Sequence, residues 1–356
     1  MSDAHDLINF ISDVSGEEHL RVEENFGEGF VRLRVSEAER RQAKHDIRST
    51  EDILIEMLRN ARDAGAAHIF VSSTKSDTLR SITMLDDGVG IPESLQAKIF
   101  EPRVTSKLES VHQDKWGIHG RGMALYSIKE NTLEHSVCAS DIGLGSSIKV
   151  LADTESLSER KDQSSWPSMS KDEEGQNIFT GPHNLIRTCC EFAYDSESKL
   201  KVYLGSPIEI AATLFKLAHN NLSTQQLLFI DKSSDLKVTE RLALAADAQD
   251  FIEIAQSIGL GLSERSAHRI LSSEILGIED VLSTLKRVHK KKSSPDIFKD
   301  QRGLKIDSKD LHSFARSMQS SFKKLEDKYY IELEQIPKVR VYKDKITVTF
   351  DIQHKD

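Results

Sequence analysis

The chain has 356 residues, long for one compact domain and suited to two. Hydrophobic residues make up 38%, charged residues 29%, and the net charge is −9, a composition ordinary for a soluble protein and unfavourable to a surface that binds nucleic acid throughout. No apolar run approaches the roughly 20 residues needed to span a membrane, the first residues Met1 to Asp6 lack a basic start and apolar core, and three cysteines (Cys138, Cys189, Cys190) cannot build a disulfide framework; a cytoplasmic location is expected.

Residues 1–48 read as an N-terminal arm. Phe30 to Val35 alternates apolar and basic residues as a half-exposed strand does, and a charged helical stretch follows from Ser36 to Lys44. Ser49 and Asp52 have the spacing of a capping box for a helix starting near Thr50. On that helix Ile53, Met57 and Ala64 repeat at helical spacing and face a core, while Glu56, Asn60 and Asp63 share another stripe. The strands His68 to Ser72 and Ser81 to Leu85 come next, and the second runs into the turn Asp86-Asp87-Gly88-Val89-Gly90-Ile91-Pro92. Glycines 117, 120 and 122 precede a helical segment from Met123 to Ile128, and Gly143-Leu144-Gly145-Ser146-Ser147 leads into a closing strand ending near Leu151. The order helix, strand, strand, glycine turn is that of an α/β sandwich with a mixed sheet.

Residues 156–180 are polar, contain Pro167 and lack periodicity, so a linker or mobile loop is expected there. From 181 to 330 the pattern is helical, with candidate helices at 182–194, 208–219, 239–258, 263–271, 278–290 and 308–328. Residues 331–356 close the chain with a β-hairpin, its strands beginning at Lys338 and Ile346.

Four blocks carry the chemistry: Glu56 to Ala66, Asp86 to Pro92, Gly117 to Ile128, and Gly143 to Ser147. In this order and spacing they resemble the GHKL (Bergerat-fold) superfamily of ATPases and kinases, which includes type II topoisomerases, the heat-shock chaperone ATPase, histidine kinases and MutL-type mismatch-repair proteins. The resemblance implies an α+β fold: a two-layer GHKL sandwich over residues 49–155, followed here by a mainly helical domain. It implies ATP and Mg²⁺ as cofactors. Glu56 matches the residue that activates or orients water, and Asn60 the ligand of Mg²⁺, a hard ion that keeps waters and phosphates as its other ligands. Asp63 matches a position near the nucleotide. Asp86 matches the carboxylate that accepts a hydrogen bond from the adenine amino group, and Asp87 the interchangeable neighbour. Gly88 and Gly90 let the backbone approach the base, with Ile91 beside them, and Ser146 stands where the family has Thr. Gly117, Gly120, Arg121, Gly122 and Met123 match the phosphate loop at a helix start. Thr105-Ser106-Lys107 is similar to the Thr-Ser-Lys of MutL, which makes Lys107 a phosphate contact. The polar segment 108–120 is the expected lid.

Within the superfamily, Glu56 four residues before Asn60 looks like the hydrolysing members, and the block around Gly122 is closest to MutL and topoisomerase VI B, with some histidine-kinase-like features near Phe100. Three functions are carried forward. One is an Mg-dependent ATPase acting as an ATP-driven switch for a protein partner or a dimer. The second is a protein kinase, on histidine or serine, using the same pocket. The third is a DNA-linked ATPase contacting nucleic acid through the basic cluster Lys286 to Lys292, whose competing reading is a solvated helix end.

Overall fold

The computed structural model describes residues 22–105, 112–119, 122–171, 177–196, 200–227, 229–230, 232–292, 307–341 and 346–354. Lys107, Gly120 and Arg121 lie outside them, as do residues 108–111 of the expected lid and the side chains of His289 to Lys292.

The N-terminal arm forms an antiparallel hairpin, β1 (Val22–Gly27) and β2 (Phe30–Leu33), then α1 (Glu37–Asp46). Helix α2 (Thr50–Asp63) follows, and its start obeys the expected capping box: the Ser49 hydroxyl accepts from the Asp52 N–H while the Asp52 carboxylate accepts from the Ser49 N–H. Ile53, Leu54 and Leu58 on α2 are wholly buried, each contributing about 1.5–3 kcal/mol by leaving water. Strands β3 (His68–Ser76) and β4 (Leu79–Asp86) come next, then short β5 (Val104–Thr105) beside β2, the hairpin of β6 (His112–Asp114) and β7 (Gly117–His119), helix α3 (Ala124–Glu130), and strands β8 (Glu134–Ser140) and β9 (Ser146–Asp153). The expected closing strand is therefore interior, because β8, unpredicted, pairs with its outer side.

The described parts of segment 156–180 pack on the rest of the unit. Leu157 joins the core, the Glu159 carboxylate binds Arg80 and Lys75, and β10 (Ser168–Lys171) pairs with β11 (Asn177–Thr180). Helix α4 (Leu185–Asp195) packs on α2, and β12 (Lys201–Gly205) then joins the sheet parallel to β3. The sheet order is β12-β3-β4-β9-β8, mixed, with every other pairing antiparallel.

Helices α5 (Pro207–Asn221), α6 (Thr224–Leu227), α7 (Ala248–Ser257) and α8 (Glu264–Leu271) follow, then α9 (Val281–Lys292) and α10 (Ser308–Tyr329). The sheet's period of two assigns its residues to two cores. Ile69, Val71, Ile82, Met84, Ile148, Val150 and Val202 face the α2 side, with α4 and the start of α9. Phe70, Leu85 and Tyr203 face residues of α5, α7 and α8. The fold is thus a GHKL-type α/β sandwich with a further helical layer on the second face of its sheet.

The chain splits into one compact unit, Met1–Leu285, and a second, Lys286–Asp356. In the second, α10 packs with β13 (Ile331–Leu333), which pairs with β16 (Ile352–His354), while β14 (Lys338–Val341) and β15 (Ile346–Thr349) form the expected hairpin. No helix among the described residues is long and apolar enough to cross a membrane.

Candidate functional site

A cavity of about 1360 Å³ opens between α2, the ends of β4 and β9, and the start of α3. Its wall collects Glu56, Asn60 and Asp63 from the polar stripe of α2, Asp86, Gly90 and Ile91 from the second block, Gly122 and Met123 from the third, and Ser146 from the fourth. The segments meet because of register. Strands β4 and β9 pair from Leu79↔Asp153 to Asp86↔Ser146, so the last residue of one lies opposite the first of the other.

Asp86 is only 4% exposed. Its Oδ2 accepts from the Ser146 hydroxyl and its Oδ1 from the Gly88 N–H at 2.9 Å. Burial pushes its carboxyl up to about 6, opposed by those two hydrogen bonds. Asp87 is not its equivalent. Its Oδ1 accepts from the N–H groups of Ala67 and His68, and its Oδ2 meets His68 Nδ1, all at 2.8 Å. Burial acts to raise the Asp87 carboxyl, but the His68 side chain and the two N–H groups outweigh it and hold it below the usual range. Asp86 is thus the aspartate of the cavity wall, and Asp87 anchors the start of β3.

The glycines serve the protein's own backbone. A Cβ on Gly90, where φ is +75°, would lie 1.9 Å from the Asp141 carbonyl oxygen, and one on Gly145 2.1 Å from that of Asp86. Gly88 lies beneath the Ala64 carbonyl, which would be 2.7 Å from an added Cβ. The close approach expected of Gly88 and Gly90 is therefore already taken up by protein backbone. Gly117 starts β7 of the hairpin instead of a loop at the helix start.

Asn60 lines the cavity with its side-chain Nδ2 buried and without a hydrogen-bond partner among the described residues. A buried amide left unpaired is costly unless a ligand completes it. Its other end is an oxygen donor of the kind Mg²⁺ takes, and it stands on the same stripe as Glu56 and Asp63. The residues present fit that ion bound through one protein oxygen and the phosphates.

Glu56 is raised above the usual carboxylate range by burial, opposed by the charge and hydrogen bond of Arg59. Arg59 was assigned no role from the sequence, yet it is 4% exposed and pairs with both Glu56 and Asp114 of the hairpin. The signal was present in the spacing, since a Glu and an Arg three apart on a helix are neighbours.

Residues 45–162 match the family model described as histidine kinase-, DNA gyrase B-, and HSP90-like ATPase, and this segment is an ATP-binding domain of the GHKL type. No curated protein matches the chain.

Proposed function

We propose that the protein is an Mg-dependent ATPase whose nucleotide-bound and nucleotide-free states are read by a protein partner. The observation that supports this best is the pairing, on one cavity wall, of a buried carboxylate braced by a serine hydroxyl with an asparagine amide that has no partner among the described residues, one turn beyond a half-buried glutamate. An ionised carboxylate is acceptor-only and suits an exocyclic amine; Asp86 takes that role for adenine. Asn60 holds the metal, which when bound neutralises phosphate charge. Glu56 accepts a proton from the attacking water, and its raised affinity for protons brings it nearer the working range of a base at neutral pH.

Glu56 is also what favours hydrolysis over phosphotransfer to a protein side chain. The test uses two substitutions. Glu56→Gln is expected to leave ATP affinity intact and abolish turnover, and Asp86→Asn to weaken binding by about 1.5–3 kcal/mol, the worth of a charge-assisted hydrogen bond, in calorimetry. Equal affinity in wild type and Asp86→Asn would overturn the adenine assignment. Transfer of the γ-phosphate to a protein residue by wild type, with no hydrolysis, would replace this reading with the kinase one.

A further inference from the structure

The β6–β7 hairpin is fastened at both ends of one charged residue chain. Asp114 of β6 faces α2 and accepts from both sides of the Arg59 guanidinium, Nε at 3.0 Å and NH2 closer. The same guanidinium donates through NH1 to Oε1 of Glu56. Asp114 also accepts from the Trp116 N–H at 3.0 Å, which closes the hairpin's turn around it. On the other side the hairpin is held to α4. Lys115 Nζ lies 3.2 Å from Glu191 and 2.8 Å from Asp195, and the Trp116 ring lies against Phe192 at 5.8 Å between centroids.

A planar guanidinium gripped on two nitrogens by one carboxylate has little freedom left, so its third nitrogen is aimed. Here it is aimed at the candidate base. We propose that Arg59 and Asp114 are positioning residues for Glu56, and that docking of the hairpin on α2 and α4 sets the rate of ATP hydrolysis. The proposal rests on the reading of Glu56 as the base. Neither residue touches the reacting atoms; each acts through the next. The hairpin lies in the polar segment expected to be the lid, so the contact joins its described residues to the base through the Arg59 guanidinium. Charged groups facing Glu56 are Arg59 on its own helix, Asp114 from the hairpin and Asp46 from α1. The two aspartates favour its protonated form and Arg59 its ionised form.

Asp114→Asn keeps the hairpin's shape and removes the charge that grips Arg59. We expect kcat to fall at least tenfold with KM and ATP affinity within about twofold, because the nucleotide contacts are untouched. With one facing anion gone, Glu56 releases its proton more readily, so the acid limb of the kcat profile moves to lower pH, a shift that a merely structural contact would not produce. Lys115 is a second and independent handle on the exposed side. Lys115→Glu repels Glu191 and Asp195 and is expected to lower kcat likewise, while Lys115→Arg preserves it.

Wild-type kcat in both Asp114→Asn and Lys115→Glu, beside an inactive Glu56→Gln, would overturn this proposal and leave the assignment of the base standing. An active Glu56→Gln enzyme would overturn the assignment itself, and the proposal with it.

Discussion

At the scale of single residues, Asp86 and Asp87 show how much a one-residue step along a strand decides. Adjacent side chains leave a strand on opposite faces, so one aspartate reaches the cavity wall and the other the α2–β3 connection. The sequence held the pair, but not which member does which, because both fit an Asp-Gly turn; only the register opposite Ser146 decides. The division of roles predicts divergent mutants. Asp86 binds its proton more tightly folded than unfolded, since burial raises it from 3.8 to about 6. Stability from this group is therefore fully present at low pH and is lost as pH rises from about 4 through 6. Two pKa units correspond to about 3 kcal/mol, so Asp86→Asn should stabilise the nucleotide-free protein by up to about that amount above pH 7, with the gain fading towards pH 4. Thermal melts across this range check it; a destabilised mutant at pH 7 would contradict it. Asp87→Asn should do the reverse, costing about 1–3 kcal/mol by weakening its hold on the β3 start, with ATP affinity unchanged. Here the folded-state proton affinity is depressed, so the contribution of Asp87 is present at neutral pH and lost as the solution is acidified through its lowered range.

At the scale of elements, legibility followed length and local signal. Helix α2 was plain because cap, apolar stripe and polar stripe agree over fourteen residues. Strand β12 was missed because its five residues between two helices carry too little alternation, and its place comes from pairing with β3, more than a hundred residues earlier. Strand β8 was missed because its edge position leaves Glu134 and Ser136 exposed among only partly buried neighbours. The pattern over 239–258 suits one helix, but Asp247 accepts from the Asp250 N–H and so restarts the chain; only α7 after it is α-helical, preceded by a 3₁₀ turn over 241–244. The polarity of segment 156–180 points to a loop and conceals the buried pairing of Glu159 with Arg80. The capping box on α2 also carries a prediction. Ser49→Ala removes the acceptor for the Asp52 N–H and should cost about 0.5–2 kcal/mol in denaturant unfolding. Because α2 presents Glu56 and Asn60, its first turn loosening should lower turnover only modestly, the site residues lying one and a half turns or more from the cap. A loss of nucleotide binding comparable to that of Asp86→Asn would show that the cap itself belongs to the site.

At the scale of the whole molecule, the question is how much chain the nucleotide site needs. The family match ends at residue 162, yet the sheet it describes is completed by β12, and its core by α4 and the first turns of α9. Val281 and Leu285 are 1% and 2% exposed within the same core cluster as Ile53 and Leu58 of α2. Ahead of them, the Ile278 N–H donates to Thr213 Oγ1 at 2.9 Å, and Gly277 sits so near the Thr213 backbone that a Cβ would lie 2.8 Å from its Cα. The functional boundary is therefore expected inside α9, where the compact unit ends at Leu285 and the helix continues to Lys292 with Lys286 and Arg287 exposed. A chain ending at Lys292 keeps every one of these core contacts and should bind ATP with unchanged affinity. A chain ending at Ser273 loses two buried aliphatic side chains, about 1.5–3 kcal/mol each, from a net stability on the order of 5–15 kcal/mol, and should melt well below the full chain or fail to fold. Calorimetry on the two truncations separates the cases. Weakened ATP binding by a folded 1–292 chain would assign the second unit a part in the site, and a stable, ATP-binding 1–273 chain would show that α9 is dispensable to the core it enters.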